Sequence, residues 1–363
     1  MIGAALATVL AGSVVAQVEL RGGSVVQAPV ESVSVEGVSV GGDQPRLIGW
    51  DSVKVVHGPM AGEAAPFMPL AERAWRARLR LARGDSDMAC PLFEELFKEF
   101  AGRSGPTALM ASEGRLRCLT RQREHAAAVG PWIEALRLRR AGFVVAGDPP
   151  LLPVIDQPTG LVPGLPPIWL STPDALELAR SPVITSEDEV AAALAALFQR
   201  AARFESGLEL GSEPAEVRHP GVDLAQQVVM ARTGNAEQRK AARERLAVGL
   251  SADMGTWREA WRRAAIGRSL LREESDADRT AGVFQLLHLP ARFARTQPYL
   301  TSVALAEVGA ELDRRGDQAA ALSMRTELMN HDPASPALGW LEQRLSGPRV
   351  RPVTPASGEA DPS

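Results

Sequence analysis

The chain of 363 residues carries 40 Lys and Arg against 44 Asp and Glu, a formal net charge of −4, with 45% hydrophobic and 23% charged residues. That is the composition of a folded soluble protein, long enough for one large or two to three ordinary domains, and it excludes a disordered chain. Aromatics make up 5%, Tyr299 is the one tyrosine, and no run of like charge is long enough for a nucleic-acid arm, which weighs against base-stacking platforms, aromatic sugar clefts and nucleic-acid partners.

In chain order, Ile2 to Val15 form an apolar run interrupted only by small residues, and Val14-Val15-Ala16 puts slim side chains around a signal-peptidase site. The expectation is a signal peptide over residues 1–16, cleavage after Ala16 and a periplasmic or secreted mature protein. No Lys or Arg precedes Arg21, so the basic leader is missing, and a buried strand or helix is the competing reading. The run is shorter than the roughly 20 residues of a membrane span, and no integral span is expected in the mature chain.

Residues 17–60 read as a small β-rich segment. From Val18 to Val56 the apolar period is two; Val33 and Val35 face Val38 and Val40 across Glu36-Gly37, a tight-turn pair. Leu47 to Val56 reads as a further pair of short strands. So few strands are marginal alone, which requires packing against the helical body or a partner.

At Pro66 the period becomes 3.6. Leu70, Ala74, Ala77 and Leu81 share one helix face, Gly84 ends it, and Asp85, Ser86 and Asp87 offer caps for a second helix bearing Met88, Leu92, Phe93, Leu96, Phe97 and Phe100. The layout recurs at a fixed offset of 40: Pro66 with Pro106, Ala71 with Ala111, Leu79 with Leu119, Arg83 with Arg123, Pro91 with Pro131, Glu94 with Glu134 and Leu96 with Leu136. Residues 66–145 are therefore expected to be two antiparallel helix pairs sharing a core. Pro91 and Pro131 are expected in the first turn of each second helix. Residues 146–174 are too rich in proline for regular structure, and their apolar side chains predict a packed strap between helical halves, with ligand or partner contact as the competing role.

A helical-repeat region follows over residues 175–345. Ser186 and Glu189 form a capping-box pattern ahead of a stripe of Val190, Ala193, Leu194, Leu197, Phe198 and Ala201. Further helices are predicted near Val222–Ala231, Glu237–Leu250, Thr256–Leu271, Asp278–Leu289, Tyr299–Asp313 and Gln318–Asn330. Residues 346–363 have no period and read as a disordered tail.

Arg315-Gly316-Asp317, with Ala321, Met324 and Leu328 and the terminal Asp332-Pro333, resembles the second half of a tetratricopeptide repeat. Arg83-Gly84-Asp85 with Ala89, Glu95 and Leu96 repeats the arrangement. The resemblance to exported bacterial tetratricopeptide-like proteins implies a mainly α fold, an α-solenoid of antiparallel helix pairs (TPR-like) that binds a protein or peptide partner along its concave face. Both Arg-Gly-Asp tripeptides fall at turns between paired helices, which explains them without an adhesion role. The leading functional expectation is a non-enzymatic interaction or scaffold module of the cell envelope. The alternative is an all-α small-ligand-binding protein or enzyme, and a third reading is a subunit stable only in a complex.

No phosphate loop, zinc-protease, nucleophile-elbow or EF-hand motif is present, and the five histidines are scattered. No catalytic residue, metal or cofactor is assigned. Asp276 and Asp278 read as helix caps rather than cation ligands. Cys90 and Cys118 each lie about fourteen residues from the intervening turn, which puts them level on antiparallel helices. A disulfide and a pair of small buried side chains both remain open. The candidate binding residues are Arg76, Arg80, Arg83, Arg121 and Arg123, a stripe suited to carboxylates. The competing reading is solvated arginines paired with Glu94, Glu95 and Glu99. It gains weight because the lysines are only Lys54, Lys98 and Lys240, a compositional bias that fills any surface with arginine.

Overall fold

The computed structural model describes residues 17–346 apart from 43–44, 147–149, 183, 212 and 214. The signal-peptide reading of 1–16 and the tail reading beyond Ser346 lie outside the described residues. The protein is mainly helical, with short antiparallel strands at the N-terminal end of the described chain.

Among the described residues, six strands form two separate three-stranded sheets. Strands β1 (Gln17–Leu20), β2 (Val25–Val26) and β6 (Val53–His57) make one, in the order β2-β1-β6. Strands β3 (Val30–Ser34), β4 (Gly37–Val40) and β5 (Arg46–Ile48) make the other. The hairpin across Glu36-Gly37 is present, with Val33 opposite Val38. Leu47–Val56 holds parts of two short strands, as expected, and they do not pair with each other: β5 pairs with β4 and β6 with β1. The reason lies in the turn between them. Trp50 is fully buried there, its backbone N–H donating to Thr107 Oγ1 (3.0 Å) and its indole to the Ser34 carbonyl (3.0 Å). Asp51 beside it is ion-paired to Arg78, both side chains 2% exposed. The turn is thus a plug into the helical body rather than a hairpin tip.

A short helix α1 (Ala61–Ala64) and one 3₁₀ turn lead into α2 (Met68–Ala82). Then follow α3 (Ser86–Glu99), α4 (Pro106–Arg121) and α5 (Val129–Arg140). Along α2, α3, α4 and α5 each helix packs on the next. Cys90 of α3 and Cys118 of α4 are joined by a disulfide, with Cα atoms 5.4 Å apart. Pro131 is in the first turn of α5, but Pro91 is in the second turn of α3, because that helix begins at Ser86. The donor that Pro91 lacks would have met the carbonyl of Asp87, an exposed residue that water reaches.

Beyond the strap come α6 (Pro173–Arg180), α7 (Glu189–Glu205), α8 (Pro220–Thr233), α9 (Ala236–Val248) and α10 (Trp257–Leu270). The chain continues through α11 (Asp276–Arg292), α12 (Pro298–Arg314), α13 (Gln318–His331) and α14 (Pro336–Ser346). From α6 onward each helix packs on its successor, and α8, α10, α12 and α14 also pack in series; α5 meets α7 across the strap. Two caps differ from expectation. Asp188, not a Ser186–Glu189 box, caps α7 by accepting from the Ala191 N–H (2.9 Å), since the helix starts at Glu189, two residues later than a Ser186 cap requires. Ser275 caps α11, and Asp276 and Asp278 sit inside its first turn, where they favour the positive helix end.

Arginine is used structurally throughout the C-terminal helices. Glu311 of α12 accepts from Arg279, Arg314 and Arg315. Burial alone would raise its pKa, but the three guanidiniums outweigh this and hold it near 2, well below the ordinary range. Glu259 is held in the same way by Arg263 and Arg292, and Glu273 by Arg239 and Arg243. No helix among the described residues is long and apolar enough to cross a membrane.

Candidate functional site

The strap is the centre of the molecule. Leu161, Val162, Leu165, Ile168, Trp169 and Leu170 are buried, which an irregular segment tolerates only if its backbone polar groups find partners. They find them on α5, α10 and α12. Trp132 of α5 donates its indole N–H to the Gly160 carbonyl (2.9 Å), and Trp261 of α10 donates to that of Pro163 (3.0 Å). The Tyr299 hydroxyl of α12 donates to Ile168 (2.8 Å), and Arg268 Nη2 of α10 donates to Trp169 (2.7 Å). The Trp169 indole returns a bond to the Phe198 carbonyl of α7 (3.2 Å). At α8 the backbones nearly touch: a Cβ on Gly221 would lie 1.9 Å from the Thr159 carbonyl oxygen. Glycine is the residue that permits this approach.

Arg268 also anchors a buried charge network. Its Nε donates to Glu307 (2.9 Å) and its Nη2 lies 3.1 Å from Glu205, which also accepts from Arg232 (2.7 Å). Burial pushes the Glu205 pKa up, but Arg268 and Arg232 more than offset this, leaving it below the ordinary value. The sides of α5, α10 and α12 that face the strap thus hold the chain's own carbonyls of Gly160, Pro163, Ile168 and Trp169.

The predicted arginines separate into two places. Arg76, Arg80 and Arg83 follow the outer part of α2: Arg76 Nε donates to Glu72 (2.8 Å) and Arg80 to the Met88 carbonyl (3.1 Å). The expected pairing of these residues with Glu94, Glu95 and Glu99 is not what forms. Those carboxylates are taken by Arg73, Lys98 and Arg115.

Arg121 and Arg123 instead stand at the far end of α4, beside the last helices of the chain. Thr120, Arg121 and His125 line a cleft of about 260 Å³ with Gly164, Gln297, Pro298 and Tyr299. It runs into a second hollow of about 280 Å³ bordered by Arg123, His331, Asp332 and Pro336.

The geometry here corrects the repeat register. In the first pair Gly84 adopts φ +82° and the Asp85 N–H closes on the Arg80 carbonyl; before α13, Gly316 does the same at φ +84°. In the second pair the Glu124 N–H closes on the Leu119 carbonyl, so the residue equivalent to Gly84 is Arg123, at φ +65°. Arg83 is thus equivalent to Gln122, and the offset of 40 slips to 39 at this turn. Arg123 is the one non-glycine residue at positive φ among those described, a placement that costs about 1 kcal/mol relative to glycine. Its guanidinium is held in a two-point pair by Asp332 (2.7 and 2.8 Å), 209 residues away.

His125 stacks on Tyr299 with ring centroids 4.1 Å apart, and its Nδ1 lies 3.1 Å from the Arg123 carbonyl. Burial pushes its pKa below the ordinary value, so the ring is neutral near pH 7. Arg121 is exposed and makes no hydrogen bond or ion pair among the described residues. His125, Tyr299 and Asp332 were not legible as site residues in the sequence; the one local signal was Gln122-Arg123 standing where the sister turns carry Arg-Gly. No group of three His, Cys, Asp or Glu among the described residues is placed to hold a metal. Neither a family model, nor a characterised protein, nor a solved structure matches this chain.

Proposed function

We propose that this protein is an exported, non-enzymatic interaction module of the cell envelope, a tetratricopeptide-like helical-repeat scaffold for a protein or peptide partner. The observation that carries the reading is the strap. Side chains from α5, α10 and α12 grip the backbone carbonyls of an irregular segment, and stacked helical repeats offer such surfaces to a chain. The pairwise stacking of α8, α10, α12 and α14 supports a solenoid order, and the Cys90–Cys118 disulfide suits an oxidising compartment. With the inner face occupied, a partner is left the helix turns and outer faces, where Arg83, Met88 and Arg121 are exposed.

Amine-reactive crosslinkers reach few points on a chain with three lysines, so photoreactive side chains at positions 83, 88 and 121 are the better probe. In intact cells, one reproducible partner captured from these positions supports the scaffold. Background-level capture from all three, with the protein well expressed and folded, removes it.

The cleft beside Arg121 supports a second reading, a small-ligand-binding protein, because a histidine, a tyrosine and two arginines from distant segments converge there.

A further inference from the structure

We propose that the cleft between the α4–α5 turn, the start of α12 and the α13–α14 turn is a binding site for a carboxylate on a short chain, with Arg121 as the anion-binding group. The inference goes beyond the scaffold reading and stands whether or not a protein partner docks elsewhere.

Three observations converge on it. First, the charges lining the cleft do not cancel internally. Arg123 is neutralised by Asp332, His125 is neutral, and Arg121 is left with no acidic partner. Asp174 influences both His125 and Tyr299 electrostatically but does not line the hollow. The lining thus presents one uncompensated guanidinium, whose fork of donors matches a carboxylate.

Second, the walls next to Arg121 are apolar or planar. Pro298, Gly164 and the stacked His125–Tyr299 rings form them, a surface that accepts the hydrocarbon part of a small acid. The hollow of about 260 Å³ admits a few heavy atoms rather than a folded surface.

Third, the turn is held rigid at a cost. Its glycine-like position is filled by Arg123, and the pair to Asp332 clamps the strained residue to the α13–α14 turn. Strain persists where surrounding contacts over-determine it, and such positions cluster at binding sites. The clamp fixes the rim on which Arg121 stands, so the guanidinium is presented over a preformed hollow.

Two sources share this chemistry, a free small acid and the C-terminal carboxylate of a peptide. The test uses the whole protein and follows the His125 ring and the Thr120–Glu124 backbone signals by NMR. The probes are propionate, N-acetylalanine, N-acetyl-trialanine and the neutral N-acetylalaninamide. The carboxylates should give saturable shifts, and the amide should bind weaker by about tenfold or more, the cost of losing a charge-assisted bond. Arg121→Gln should abolish the shifts and Arg121→Lys should restore part of them, while Arg76→Gln leaves them unchanged. Tighter binding of the trialanine acid assigns the site to peptide ends; equal binding of propionate assigns it to free acids. The proposal is overturned if the amide binds as well as the acid, if Arg121→Gln binds normally with an unchanged circular dichroism spectrum, or if no carboxylate shifts these signals at millimolar concentration. Loss of the photo-crosslinked partner alone, with carboxylate binding intact, would count against the scaffold and not against this site.

Discussion

Tyr299 separates two regions that treat polar groups in opposite ways. On one side its hydroxyl joins the strap interface, where carbonyls of Gly160, Pro163, Ile168 and Trp169 each meet a donor from a different part of the helical body. On the other its ring backs the cleft, where Arg121 meets nothing. The first arrangement is that of a core: each of these four buried carbonyls has its donor, and removing a donor strands its carbonyl. The second leaves a charge over, with a strained residue next to it. The helical body thus satisfies the strap with its own donors and leaves an unpaired guanidinium at a turn.

The comparison breaks most visibly at Arg268. Arg268→Ala removes the partner of Trp169, Glu205 and Glu307 together, and chemical denaturation should show a loss of about 3–5 kcal/mol, the range for a broken buried pair. An unchanged midpoint would mean the strap is not tied through this residue. The same network predicts the direction of acid sensitivity. The folded pKa of Glu205 lies below its ordinary 4.5, so its contribution is fully present above that pH and is lost as pH falls through the folded value. A denaturation series between neutral and acid pH should show that decline, and Glu205→Gln should flatten it.

Gly221→Ala comes next. The blocking atom is a backbone carbonyl that cannot rotate away, so either α8 or the strap must shift, for about 1–3 kcal/mol by thermal or denaturant unfolding. Tyr299→Phe keeps the stack on His125 but leaves the Ile168 carbonyl without its donor, a loss of about 1 kcal/mol by the same measurement. Carboxylate binding should survive it, which separates the two sides of one residue. The smallest effect belongs to Arg123→Gly. Relief of the positive-φ strain, about 1 kcal/mol, offsets loss of a half-exposed ion pair worth up to about 1 kcal/mol, so stability should barely move. The turn should nonetheless become more mobile, read as faster amide exchange at Glu124 and His125.

By itself the sequence determined what is local. The period of 3.6 around Leu70–Leu81 and Leu92–Phe100, the Gly84 and Gly316 turns, and the near-level placement of Cys90 and Cys118 are all set within a few turns of helix, where spacing dictates facing. The proline density of residues 146–174 marked a packed strap for the same reason, since proline removes donors and apolar side chains demand burial. What the strap packs against was decided only in three dimensions. Its carbonyls needed donors from Trp132, Trp261, Arg268 and Tyr299, up to 131 residues away in the case of Tyr299 and Ile168. The strand partners on either side of Trp50–Asp51 likewise depend on distant residues, because that turn is held by Thr107 and Arg78. The cleft is the extreme case: Arg121 and Arg123 stood out in the sequence, but His125, Tyr299 and Asp332 become a site only when the first helix pairs close on the last. No periodicity encodes that closure, because it is set by packing between elements and not within them.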